Sequence, residues 1–190
     1  MKALLTLAIA LVGVASIPSS VTASEPEHVA KLMAGKQDTG RAIEFRIVVD
    51  GSPEEVFHMW TDCEASTEFF GSSATIEPRL AGLYEIGFDT PTGERAGTIG
   101  TKILRYEPPS LLFFEWEMPK FIGHLNRRPF PTWVELRFER LGNEDQTDIH
   151  FYHRGFGDGP DWDQGFEFFQ RNWFEVLYRF KLRQASANNR

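Results

Sequence analysis

One cysteine, Cys63, stands in a chain of 190 residues, so no internal disulfide can form and the fold must rest on its core. Two readings of Cys63 are open, a buried inert thiol and a cross-link between copies; the buried one is favoured. No histidine lies near it in sequence to activate it. Basic residues are outnumbered, 20 against 27, for a net charge of −7. Such a balance suits neither nucleic acid nor an anionic membrane, and no nucleic-acid partner is expected. No repeat and no low-complexity segment follow the first residues, which excludes solenoids and arrays. A G-x-S-x-G elbow is missing. Gly155–Gly159 precedes a helix but lacks the Lys and Ser/Thr of a phosphate loop. His150 and His153 are three apart on a strand and point to opposite faces, so no zinc site is expected. Asp158, Asp161 and Asp163 lack the alternating ligands and closing Glu of a calcium loop. No metal and no cofactor are expected.

Long apolar runs are also scarce. The one long apolar, uncharged run before a break, Ala3–Ser16 after Met1-Lys2, is shorter than the roughly 20 residues of a spanning helix. Ile17-Pro18-Ser19-Ser20 breaks it, and Val21-Thr22-Ala23 supplies small residues before a cut. Residues 1–23 therefore read as a cleavable signal peptide, with the protein periplasmic or secreted and without a stable membrane span after cleavage. Its loss removes one lysine and takes the charge to −8. Residues 24–40 read as a polar linker, 41–184 as the folded domain and 185–190 as a tail.

What the chain has in plenty is aromatic bulk: seventeen Phe and five Trp. That content suits a large core or a ligand-lined interior and argues against disorder. The organising stretch is Asp161 to about Gln184. Asp161 and Gln164 make a capping box, and Trp162, Phe166, Phe169, Trp173, Val176, Leu177 and Phe180 recur at helical spacing. The opposite side carries Asp163, Glu167, Arg171, Glu175 and Arg179. Such a helix needs a large apolar partner.

Strands supply it. Arg41–Asp50 alternates, with Ile43, Phe45, Ile47 and Val49 on one face. Ser52-Pro53-Glu54-Glu55 opens a helix that buries Val56, Phe57 and Trp60, and a second short helix covers Cys63–Phe70. Strands follow at Ser73–Glu77 and Gly82–Phe88. Glu94–Tyr106 reads as one long strand that Gly97 and Gly100 let bend. Ser110–Met118, Thr132–Leu141 and Gln146–His153 complete the set, and Pro119–Pro131 is an aromatic, basic loop. Strands joined by short turns give an antiparallel sheet, so the fold class is α+β: a curved sheet of six to seven strands around a long C-terminal helix, with two short helices after the first strand.

GSPEEVFHMWTD (Gly51–Asp62), EFF-G (Glu68–Gly71), EPRLAGLYEIGF (Glu77–Phe88), YEPPSLLFFEW (Tyr106–Trp116), TDIHFYHRGF (Thr147–Phe156) and NWFEVLYRFK (Asn172–Lys181) fall in this order. In that order they resemble the SRPBCC (START/Bet v 1-like) superfamily, and within it the homologues of the activator of the heat-shock-protein-90 ATPase. The resemblance spans about Arg41–Arg183. It implies a helix-grip fold with a hydrophobic cavity between helix and sheet. It also implies a cytosolic co-chaperone activity, which the leader does not fit.

The aromatic interior has two readings, ordinary core and an incompletely closed cavity. On the second, Trp60, Phe70, Tyr84, Phe88, Trp116, Phe138, Phe166, Phe169 and Trp173 line the cavity, and Glu115, His150, His153 and Arg154 are candidates to meet a polar end of the ligand. The function expected is extracytoplasmic binding of a small hydrophobic or amphipathic molecule. The alternatives are a cavity enzyme of the polyketide cyclase or hydrolase kind, which needs a titratable group inside, and a co-chaperone-like interaction module, which needs an exposed apolar patch.

Overall fold

The structure, a computed structural model, describes residues 33, 36, 38–91, 96–142 and 145–187. The leader read over residues 1–23 lies outside them, as do the last two residues of the hairpin turn expected at Asp89–Gly93. The chain runs β1 (Ile43–Asp50), α1 (Pro53–Thr61), α2 (Cys63–Thr67), β2 (Ser73–Ile76), β3 (Tyr84–Phe88), β4 (Ala96–Gly97), β5 (Ile103–Glu107), β6 (Leu111–Trp116), a 3-10 helix (Lys120–Leu125), β7 (Thr132–Arg140), β8 (Gln146–Arg154) and α3 (Pro160–Ala187). β1-β8-β7-β6-β5 form one antiparallel sheet and β2-β3-β4 a smaller one. A bridge between Leu83 and Lys102 links them. This is the expected α+β arrangement.

Local chemistry sets the boundaries. Ser52 caps α1 with a full capping box to Glu55, and Pro53 sits in the first turn. α1 buries Val56, Phe57 and Trp60 as its periodicity requires. α3 starts at Pro160, one residue before the expected cap. Asp161 therefore lies in the first turn, and its carboxylate meets His124 at 2.9 Å instead of capping.

The expected long strand over Glu94–Tyr106 is divided between the two sheets as β4 and β5. Gly97 has φ +124°, and a Cβ there would sit 2.0 Å from the Ile86 carbonyl oxygen. Only glycine fits that approach, and the chain changes sheets just after it.

Cys63 departs from expectation: it is exposed. As first residue of the short α2 it lies outside the core, where its sulfur accepts from the Ile76 amide at 3.2 Å.

The inner sheet face packs on α3 through Leu112, Phe114, Val134, Leu136, Ile149 and Phe151. The outer face has its own core of Leu104, Leu111, Phe113 and Trp133, with Met33 against it. Met33 belongs to the segment read as a polar linker, and other described residues of that segment are also docked on the domain. Lys36 Nζ donates to Glu115 at 3.1 Å and to the Phe130 carbonyl, with both charged side chains almost sealed from solvent (1 and 2 % exposed). Thr39 donates to the Phe156 carbonyl at 2.6 Å. The apolar row and the buried carboxylate on the outer face both need a cover, and this segment provides it. Desolvation holds the Lys36 ammonium below its usual pKa, although Glu115 pulls the other way.

Removing one partner of a buried ion pair strands the other. Lys36→Met should therefore cost about 3–5 kcal/mol in urea unfolding, and the double variant Lys36→Met/Glu115→Met should recover most of that. A double variant no more stable than the single would show that the pair is not coupled.

Candidate functional site

Most of the space between α3 and the sheet is filled. Trp60, Phe69, Phe70, Tyr84, Phe114, Phe151, Phe156 and Phe180 are all essentially inaccessible. Trp60 packs edge-on to Phe69 and Phe70, and Tyr84 stacks on Phe114 at 3.9 Å. The free volume is at one flank of α3, where a pocket of about 300 Å³ opens beside the helix.

Four elements build that pocket. The turn after α2 contributes Phe70, and the β3–β4 edge contributes Phe88 and Ala96. The end of β6 contributes Trp116. α3 contributes Phe168, Phe169, Trp173 and Val176, and its flank adds Asn172, Glu175 and Arg179. Phe70 lies parallel to Trp116 at 5.4 Å, and Trp173 packs against both, at 5.4 and 4.9 Å. These three rings form the floor. All the polar groups sit along one edge, on the helix. Asn172 Nδ2 donates to the Phe168 carbonyl at 2.8 Å, which turns its amide oxygen outward as an acceptor. The aromatic loop expected at Pro119–Pro131 reaches this end of α3. Gly165 leaves room for Met118 and Ile122, and Phe121 meets Phe168 edge-on at 5.4 Å.

Five of the nine aromatic residues proposed from sequence come together here: Phe70, Phe88, Trp116, Phe169 and Trp173. The other four stand elsewhere. Trp60 is a layer deeper, and Tyr84 is deeper still, its hydroxyl donating to the Trp60 carbonyl at 2.9 Å. Burial pushes the Tyr84 phenol well up. Phe138 packs on Phe57 at the far end, and Phe166 packs on Phe156 beneath the Arg41 guanidinium.

Of the four polar candidates, three belong to the outer sheet face. Glu115 pairs with Lys36, His150 meets Asp148 at 3.3 Å, and Arg154 reaches Asp38 and Glu135 at 3.7 Å. Strand alternation decides this, because each shares a face with Trp133 and Glu135 rather than with Phe114 and Phe151.

His153 alone points inward. Its Nδ1 accepts from Trp173 Nε1 at 2.9 Å, so the neutral ring carries its proton on Nε2. Phe156 and Phe169 crowd the ring at 4.6 and 4.7 Å, and Nε2 has no hydrogen-bond partner. Burial pushes the imidazole well below its usual pKa. His153 does not border the pocket; it fixes the indole that does.

Phe168, Asn172, Glu175 and Arg179 border the pocket without belonging to the expected lining. They follow at three- and four-residue steps along one flank of the helix, a row readable beside the main stripe. Among the described residues no cluster of His, Cys, Asp or Glu could hold a metal ion, and no helix is long and apolar enough to cross a membrane.

A sequence profile of the Activator of Hsp90 ATPase homolog 1-like protein family matches residues 50–183. No curated protein matches the chain. Among solved structures, a protein from Rhodobacter sphaeroides superposes with a TM-score of 0.62 at 16% identity, covering 79% of this chain and 96% of that one. A protein from Nitrosomonas europaea gives 0.60 at 12% identity, covering 80% and 99%. CalU16 from Micromonospora echinospora gives 0.55 at 22% identity, covering 75% and 73%. At these identities the likeness is one of fold.

The buried imidazole makes stability depend on pH in a known direction. The unfolded chain binds a proton at this ring below about pH 6.5 and the folded chain does not, so stability is full above that pH and falls below it. Between pH 7.5 and 5.5 the loss should be about 1.4 kcal/mol from this group. Urea midpoints across that range should show the slope in the native protein and lose it in His153→Gln. An unchanged slope in the variant would remove His153 as its source.

Proposed function

We propose, from the premise that this chain belongs to the Activator of Hsp90 ATPase homolog 1-like family, that it binds a small apolar or amphipathic molecule in the pocket beside the long helix. The observation that carries this reading is the segregation of the wall. Phe70, Phe88, Trp116, Phe169, Trp173 and Val176 offer rings and aliphatic surface, while Asn172, Glu175 and Arg179 are confined to one edge. Apolar walls with a few placed polar groups mark small-molecule sites. The volume is at the low end of the roughly 300–1,000 Å³ such sites span, so the ligand is of one- or two-ring size. Its apolar body lies on the Phe70–Trp116–Trp173 floor and its polar end points to the helix edge and to solvent.

Binding is favoured over catalysis by where the titratable candidates stand. Glu115, His150, His153 and Tyr84 do not border the pocket, so the cyclase or hydrolase reading lacks an acid or base from that set. The leader over residues 1–23 supports work outside the cytoplasm. That compartment offers neither ATP nor a cytosolic chaperone, and the reading therefore departs from the activity for which the family is named.

Ala96→Phe fills the pocket from the β4 side without touching the core under α3. 1-Anilinonaphthalene-8-sulfonate should bind the native protein with a fluorescence rise, and the variant at least about tenfold more weakly, with an unchanged thermal midpoint. Native mass spectrometry of protein from its natural host should show a small molecule that dissociates on activation. A native protein that is always ligand-free and indifferent to the probe overturns the proposal.

A further inference from the structure

The long helix carries a second apolar row, on the side away from the sheet. Phe174, Tyr178 and Leu182 follow at four-residue spacing, and each leaves about half its surface in solvent (55, 51 and 50 %). The rings of Phe174 and Tyr178 are parallel within 4°, with centroids 6.2 Å apart, and Phe45 of β1 reaches Phe174 at 6.5 Å. A shallow groove of about 480 Å³ runs beside them, past Phe45, Arg171 and Glu175. Of the other large exposed apolar side chains among the described residues, Ile99 and Leu141 sit singly on connections and Phe121, in the 3-10 helix, packs on Phe168. Only the helix row is continuous, and a contiguous apolar row of this kind marks a contact surface.

The charges next to the row decide what covers it. Glu175 and Arg179 lie one turn apart on the same flank. Among the described residues neither has an ion-pair partner, and the Arg179 Nε–H donates only to the Glu175 backbone carbonyl at 3.4 Å. A lipid surface is a poor match, because the row is edged by both signs, Glu175 as well as Arg171 and Arg179, and the chain carries a net charge of −7.

We propose that a second copy of this chain covers the row, in a symmetric dimer whose two-fold axis passes between the two copies of the helix at the level of Tyr178. A two-fold axis perpendicular to the helix reverses its direction and keeps each flank on its own side. Tyr178 then meets the partner's Tyr178, and Phe174 lies level with the partner's Leu182. Glu175 sits about 4.5 Å before the axis and Arg179 about 1.5 Å after it. The partner's Arg179 thus comes within about 3 Å of Glu175 along the helix direction, on the same flank. Symmetry repeats the pair, so the row and its flanking charges complement themselves. Glu175 and Arg179 also edge the apolar pocket, so dimer contact and pocket rim share two side chains.

Sedimentation velocity over a concentration series tests this directly. The purified protein should pass from the mass of one chain to twice that mass. Tyr178→Glu and Leu182→Glu should each remain monomeric while keeping the native circular dichroism spectrum. Glu175→Arg and Arg179→Glu should each weaken self-association at least about tenfold, because like charges then face one another across the axis. Mixed in equal amounts, those two charge variants should associate with each other at close to native strength, since opposite charges again meet. A native protein that stays monomeric throughout, a dimer unmoved by Tyr178→Glu, or charge variants that fail to recover on mixing would each overturn the proposal.

Discussion

The structure depends on one contact, the aromatic face of α3 against the inner face of the sheet. Phe169, Trp173, Val176, Leu177 and Phe180 are its helix side, and each is nearly or fully buried. Fully burying one such side chain contributes about 1.5–3 kcal/mol, so this row outweighs any single polar interaction in the molecule. Trp173 is its centre. It touches Phe70, Trp116 and Phe151 within 5.4 Å, and its indole N–H is held by a hydrogen bond. That bond ties it to His153. A neutral hydrogen bond stabilises by only about 0.5–1.5 kcal/mol, while an unpartnered buried polar group costs about 1–3 kcal/mol. The hydrogen bond to Trp173 therefore adds little beyond the packing of the His153 ring on Phe156 and Phe169. What it adds is orientation, one setting of the Trp173 indole at the pocket floor.

A second constraint acts on the other side of the sheet. β6 is buried on both faces, so the outer face cannot be left to solvent. Met33 and Lys36 cover part of it, and Thr39 bonds to the Phe156 carbonyl in the chain just before α3. The two faces therefore differ in kind. The inner one is apolar and closed by a helix. The outer one is partly ionic and closed by a strap whose ammonium is the counter-charge to Glu115.

This difference explains which parts were legible in the sequence. Element type and order were readable because period and caps are local: the Ser52 capping box and the stripe from Phe169 to Phe180 follow from spacing alone. The break between β4 and β5 was half-readable. Gly97 and Gly100 marked a bend, but the change of sheet depends on the approach of Ile86 from β3, which no local pattern encodes. For the site, the five residues that converge all point inward from elements whose inner face the pattern identifies. Tyr84, Phe138 and Trp60 also point inward, yet end in solid core, because packing density belongs to three-dimensional fit. Glu115, His150 and Arg154 went to the outer face by strand parity. That parity was available in the sequence, since each is an odd number of residues from an inward-facing neighbour such as Phe114 or Phe151. Cys63 was misjudged for a related reason: cysteine's tendency to be buried is a statement about the residue type, whereas its place at the start of a five-residue helix is particular to this chain.

The same packing accounts for the kind of site this fold has here. A helix gripped by a sheet encloses a cavity only if the facing side chains leave one. In this chain the centre is occupied by large rings from both layers, with Trp60, Phe69 and Phe180 mutually in contact within 5.5 Å. The apolar pocket opens where the sheet stops short of the helix, beyond the end of β6 and beside the two-residue β4. There the small Ala96 faces Phe169, Trp173 and Val176 across the opening. The pocket is thus a product of a short edge strand and a small side chain rather than of a hollow interior. Its floor is as rigid as the core it belongs to, while its edge is made of exposed helix side chains free to adapt. On the function proposed above, shape is read by Phe70, Trp116 and Trp173, and polarity by Asn172, Glu175 and Arg179.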